Sequence, residues 1–196
     1  SWDLELIRRS AEIAAIEASS DGINWTFAPM VDISRDARWG RVMEGAGEDP
    51  YLGSKIAKAR VAGFQGSDDG SRIGDLNTIL ATAKHMAAYG AAEAGRDYNT
   101  AELSEHTLRN VYLPTYQAAV KAGVATIMTS FNEINGVPAT ADRWLLTDLL
   151  RDEWGFRGFV VTDYTSINEL VPHGVANDEK HAAELALNAG VDMDMT

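Results

Sequence analysis

The stretch GFRGFVVTDYTSI, residues 155–167, has the form of a buried strand that stops at a carboxylate. Phe159, Val160 and Val161 make a short apolar run bounded upstream by Gly155 and Gly158. Such a run suits a strand covered on both faces. Thr162, Asp163 and Tyr164 then switch to polar and amphipathic groups. In a parallel α/β sheet or barrel, ligands sit beyond the carboxyl ends of the strands, so Asp163 stands where chemistry is done. A lone strand-end Asp more often caps the turn that follows it, and the rest of the chain has to decide between the two roles.

Working outward, strand, loop and helix alternate about five times. An amphipathic helix over residues 2–18 precedes a first strand at 23–30, INWTFAPM, and a long polar loop at 31–49. Asp49-Pro50 starts a second helix that runs to Gly63 or Gly66. TILATA at 78–83 reads as the second strand, ending at Lys84 and His85. A long helix from about Thr100 to Lys121 follows, and Pro114 should kink it. VATIMTS at 124–130 is the third strand, Asn135-Gly136 a tight turn, and residues 141–154 an amphipathic helix closed by Gly155. After the strand at Asp163 come a helix over 179–189 and a fifth strand beginning at Val191.

Alternation of this kind implies parallel strands with crossover helices. Five units are too few for a closed (β/α)₈ barrel of about 250 residues. The expected architecture is therefore α/β, a fragment of a TIM-like (β/α)₈ barrel with parallel strands, residues 1–196 forming one partial domain whose first and last strands lie outside it. An open doubly wound sheet is the alternative, but no glycine-rich phosphate loop follows the first strand.

Composition narrows the function. The 196 residues are 45% hydrophobic with a mean hydropathy of -0.19, enough to bury a sizeable core. No stretch approaches the ~18 apolar residues of a membrane helix, and residues 1–5 carry no basic and apolar leader. A formal net charge of -12 repels nucleic acid and favours a neutral substrate. Cysteine is absent, which removes disulfides and thiolate metal sites.

Four strand ends carry groups that could cooperate: Arg38, Trp39 and Arg41 after the first, Lys84 and His85 after the second, Phe131 and Asn132 after the third, and Asp163 after the fourth. Cations around one carboxylate favour its ionised form, as a nucleophile requires, and cations and imidazole donate well to sugar hydroxyls. Structural roles compete with this: Arg41 could staple the loop to Glu48, Lys84 neutralise an acid, and His85 be a satisfied core histidine.

In this order and at these distances, FAPMVDISRDARWGRVMEGAGEDPYLG (27–53), AKHMAAYGAAEAGRDYNT (83–100), TIMTSFNEINGVPAT (126–140) and GFVVTDYTSINEL (158–170) resemble the amino-terminal (β/α) barrel domain of glycoside hydrolase family 3, most closely its bacterial periplasmic-type β-glucosidase branch. The resemblance covers nearly the whole chain. It implies a retaining exo-β-glycosidase that needs no cofactor and acts on terminal non-reducing β-D-glucosyl residues of a glucoside or oligosaccharide. Asp163 matches the family's nucleophile, and Arg41, Lys84 and His85 match positions that bind the sugar hydroxyls. Arg96 with Asp97 in the GRDY block, Met128, Phe131 and Tyr164 complete the implied substrate-binding set. Tyr164 stands where plant relatives often have Trp, and Phe131 where a Tyr is common. The branch that cleaves N-acetylglucosaminides carries a second His in a KHFPGHG-type loop, which this chain lacks.

The resemblance also implies that the proton-donating Glu lies on a following α/β sandwich domain, so the isolated chain should turn over aryl β-glucosides poorly or not at all. A periplasmic or secreted location is implied in the same way. Three other readings are open. They are a β-xylosidase of the same family, a non-catalytic carbohydrate-binding barrel module, and a metal-dependent enzyme built on Asp192 and Asp194 of the last strand.

Overall fold

The computed structural model describes residues 2–195; Ser1, the first residue of the 1–5 stretch read above, and Thr196 lie outside the described residues. Helix α1 (Leu4–Ser20) starts two residues later than its apolar spacing predicts, because Asp3 caps it by accepting from the backbone N–H groups of Glu5 and Leu6. Helix α2 (Pro50–Gln65) begins on the Asp49 cap with Pro50 at its first position and ends at Gly66, φ 79°.

Five extended segments lie side by side in chain order and run parallel. They are residues 24–31, β1 (Thr82–Met86), β2 (Thr126–Thr129), β5 (Phe159–Val161) and residues 191–195. The first and last join through single bridges, Trp25 to Leu80, Met30 to Lys84 and Val161 to Met193, rather than long ladders. Pro29, which has no N–H to donate, interrupts the first.

The second strand corrects the sequence expectation. Expected over 78–83 and to end at Lys84 and His85, it starts at Thr82 and runs through both to Met86; Lys84 and His85 together stand opposite the single residue Met128, since Ala83 pairs with Ile127 and Met86 with Thr129. This is a bulge in β1, and bulges re-aim side chains next to sites. The Lys84–His85 and Met86–Ala87 peptide bonds are cis.

The long helix around Pro114 is divided into α3 (Glu105–Thr107), a wide turn Leu108–Tyr112 and α4 (Pro114–Lys121). The Leu113 N–H reaches the carbonyl of Leu108 across the divide. A two-residue turn at Asn135 (φ 52°) and Gly136 (φ 84°) joins β3 (Glu133–Ile134) to β4 (Val137–Pro138), the left-handed pair a tight hairpin requires. Helix Trp144–Glu153 is wound with i→i+5 bonds, and α5 (Glu179–Ala189) runs over the predicted residues with Gly190 closing it.

Alternation along the strands sorts the side chains. Ala83, Ile127 and Val160 face the helices, where Leu145, Leu146, Leu149 and Leu150 are all buried. Each such leucine contributes about 1.5–3 kcal/mol relative to exposure. On the other face, at the base of the sheet, the Trp25 indole N–H donates to Thr82 Oγ1 at 2.8 Å and Thr126 Oγ1 at 3.1 Å, with its ring edge-on to Phe159. Gly158 is fixed by close approach, since a Cβ there would lie 1.9 Å from the Ala125 carbonyl oxygen. The opposite, carboxyl end of the same face carries Asp163.

Candidate active site

Two residues past β5, the Asp163 side chain is 15% exposed. Its Oδ1 accepts the Tyr164 backbone N–H at 2.7 Å, and its Oδ2 lies 3.4 Å from His85 Nε2. His85 comes from the β1 bulge and is completely buried. Behind it sits Asp32, in the segment that follows the first extended stretch. Asp32 Oδ2 accepts the His85 backbone N–H at 2.9 Å and contacts His85 Nδ1 at 2.9 Å. The Tyr116 hydroxyl of α4 lies 2.7 Å from Asp32 Oδ1 and 2.5 Å from the His85 carbonyl oxygen. Burial and the Asp32 charge push the Tyr116 phenol well above its usual range, so it remains a neutral donor.

Of the expected cations, His85 is the one in ion-pairing distance of Asp163 among the described residues. Arg41 grips Glu44, with Nε to Oε1 at 2.6 Å, and not Glu48, and its guanidinium lies 5.5 Å above the Tyr89 ring. The bidentate bond holds Glu44 below the usual carboxylate range, and Lys84 and His85 act on Glu44 in the same direction. The Lys84 side chain is half-buried with no hydrogen bond or ion pair among the described residues. Arg38 departs from the cooperative picture, being 70% exposed and paired with Asp36 at 2.6 Å. A two-residue span is enough for that pair to close in the loop, so the side chain points to solvent.

An aromatic wall completes the mouth. Trp39, Tyr89, Phe131 and Met30 form one buried cluster; Tyr89 packs edge-on to Trp39 and His85, and Phe131 lies 4.5 Å from the Tyr98 ring centre. Asp97 accepts the Trp39 indole N–H at 2.8 Å, which ties it to the loop that carries Trp39, and the Arg96 side chain is exposed without a hydrogen bond or ion pair among the described residues. Met128 is buried in β2 opposite the bulge. Tyr164 is 61% exposed, so it meets Asp163 through its backbone and leaves its ring at the rim. The Tyr89 hydroxyl is buried without a hydrogen bond; burial and then Asp97 push its phenol up, against the opposing pull of Arg41. Asn132 Oδ1 is likewise buried and unpartnered.

Asp192 and Asp194, the candidate metal pair, are engaged elsewhere. Asp192 accepts from Arg151 and from the Val160 N–H, and Asp194 accepts the Thr162 hydroxyl. Asp32, Tyr116, Tyr89 and Glu44 escaped the sequence reading. Asp32 left one trace, a carboxylate between Val31 and Ile33 in an otherwise apolar run, where an acid is rarely buried without a partner.

Comparison with known proteins identifies the family. The family described as Glycosyl hydrolase family 3 N terminal domain matches residues 1–196. A periplasmic beta-glucosidase of Salmonella typhimurium is 48% identical over 195 residues, covering all of this chain and 25% of the relative. A beta-xylosidase of Formosa agariphila is 43% identical over 198 residues, covering 27% of the relative. The chain thus spans about a quarter of the length of the curated relatives it matches. The crystal structure of beta-glucosidase from Listeria innocua in complex with glucose superposes with a TM-score of 0.96 at 47% identity, over 100% of this chain and 27% of that one. The parallel strands are accordingly part of a (β/α) barrel, and the chain belongs to glycosyl hydrolase family 3, within its N-terminal domain.

Proposed function

We propose that this chain carries the nucleophile side of a retaining β-glucosidase site. Asp163 attacks the anomeric carbon of a terminal non-reducing β-D-glucosyl residue. A carboxylate oxygen bonds to C1 as the bond from C1 to the aglycone oxygen breaks, and water later cleaves the glycosyl ester. The observation that carries this reading is the partly open Asp163 carboxylate at the carboxyl edge of a parallel sheet, with the buried His85 Nε2, which makes no hydrogen bond, 3.4 Å away. Arg41, Lys84, His85, Arg96, Met128, Phe131 and Tyr164 are the proposed sugar-binding set, and the buried orphan atoms of Tyr89 and Asn132 suit the same polar ligand. The acid that protonates the leaving group belongs, in this proposal, to a Glu on a further domain. The relatives' names support glucose and a periplasmic or secreted setting.

Incubating the gene product that carries this chain with a 2-deoxy-2-fluoro-β-glucoside bearing an activated leaving group should add one glycosyl mass to the peptide containing Asp163. Label on a different carboxylate overturns the assignment. One relative is a beta-xylosidase, so a higher kcat/KM for aryl β-xylosides than for aryl β-glucosides would replace the sugar while keeping the nucleophile.

A further inference from the structure

We propose that Asp32 and Tyr116 are positioning residues that clamp His85 so that Nε2, and not Nδ1, is presented to Asp163 and the bound sugar; this rests on the reading of Asp163 as nucleophile. A histidine ring can turn over and offer either nitrogen, and the two tautomers differ in which one donates. At His85 one carboxylate oxygen, Asp32 Oδ2, receives the backbone N–H and faces Nδ1, both at 2.9 Å. A carboxylate accepts and does not donate, so the proton of this contact sits on Nδ1 and Nε2 is the nitrogen turned toward Asp163. The Tyr116 hydroxyl closes the clamp against the second Asp32 oxygen and the His85 carbonyl. All three residues are at most 2% exposed, so the Asp32 carboxylate depends on these partners and not on water.

The groups facing His85 come from every side: Asp32 and Tyr116 behind it, the Tyr89 ring 5.2 Å away, Glu44 and the adjoining Lys84 to one side, and Asp163 in front. Asp163 loses its charge when it becomes a glycosyl ester. An imidazole held by Asp163 alone would then be free to turn, whereas the contacts to Asp32, which takes no part in the covalent step, persist through both halves of the cycle and keep Nε2 aimed at the sugar.

The test uses the gene product with ¹⁵N-labelled histidine. NMR should show His85 Nδ1 protonated at every pH at which the protein is folded, with titration confined to Nε2. A range of pH in which Nδ1 is the bare nitrogen overturns the proposal, and this readout needs no variant. Asp32→Asn, whose amide oxygen can take the same two bonds, should keep the tautomer and lose less than about tenfold in kcat. Asp32→Ala should mix the tautomers and lower kcat by about 10–100-fold, with a smaller change in KM, as second-layer partners of functional histidines do elsewhere. Unchanged kcat per folded molecule in Asp32→Ala would reduce Asp32 to a structural group. Absence of label on Asp163 with Nδ1 still protonated would remove the glycosidase reading and leave the clamp; label with the opposite tautomer would remove the clamp alone.

Discussion

Gln65 and His85 are both fully buried polar residues against the same parallel strands, one at each end of them. At the base, Gln65 Oε1 accepts the Ala81 and Ala125 N–H groups, and its Nε2 donates to the Gly123 carbonyl at 2.8 Å. The amide spends all its nearby capacity on backbone. At the mouth, His85 is anchored through Nδ1 while Nε2 has no hydrogen bond. Of the four buried side-chain atoms without a partner among the described residues, three belong to the mouth: His85 Nε2, Tyr89 Oη and Asn132 Oδ1. Since buried polar groups are normally satisfied, their clustering at one end supports the proposed sugar site there.

This contrast can be broken by experiment. Asp163→Asn should lower turnover by about 10⁴-fold or more, the scale expected for a covalent nucleophile, while moving the melting temperature little. A variant that retains turnover would end the claim that the mouth is catalytic. Gln65→Leu should act in the opposite way. It leaves a buried Ala81 N–H and a partly buried Ala125 N–H and Gly123 carbonyl unpaired, the buried one costing about 1–3 kcal/mol and the others less, so denaturation should show a loss of about 2 kcal/mol or more with kcat per folded molecule unchanged. A large kcat loss in that variant at constant stability would show that the base is coupled to chemistry and dissolve the contrast.

How far the two ends could be read in the sequence follows from what builds them. The base and the helices rest on periodicity and caps, which are local: Asp49-Pro50, Gly66, the Asn135-Gly136 turn and the α5 boundaries all stand where the residues place them. The mouth rests on a bulge and on long-range contacts. Nothing in TILATAKHM tells that Lys84 and His85 share one position across from Met128, because the strand register is set by β2, some 40 residues on. Asp163 and His85 were legible as a pair of types, yet Asp32 and Tyr116 meet them across separations of 53 and 31 residues. Arg38 and Arg41 stand three residues apart and read alike in the sequence, yet each is captured by its own nearby acid, Asp36 and Glu44. Asp36, drawn down to about 2 by the Arg38 hydrogen bond, records how local that capture is.

A smaller effect sharpens the comparison at the mouth. Tyr89→Phe deletes a buried hydroxyl that has no hydrogen bond, so stability should hold or rise by up to about 1 kcal/mol, in contrast to the loss at Gln65. If that hydroxyl serves the sugar, KM for an aryl β-glucoside rises in the same variant. Lower stability with unaltered KM would assign Tyr89 to the frame of the fold.

The smallest expected effect concerns Glu169, in the turn that follows Asp163. Burial raises its carboxyl, Asp163 adds to the rise, and His173, itself 2.7 Å from Glu133, opposes both with a larger effect than Asp163. A raised folded-state value means that the folded chain holds the proton more tightly than the unfolded chain. Its contribution to stability is therefore complete below the ordinary glutamate value and is lost as pH rises through the folded value. At neutral pH the ionised carboxylate works against folding. Glu169→Gln should then melt above the wild type at neutral pH, with the gap closing as pH falls to about 4. Combining it with Asp163→Asn should narrow the neutral-pH gap, because one source of repulsion is already gone. A gap that instead opens on acidification would mean that Glu169 gains more from His173 when ionised than it loses to burial, which would move it from the strained mouth to the satisfied part of the fold.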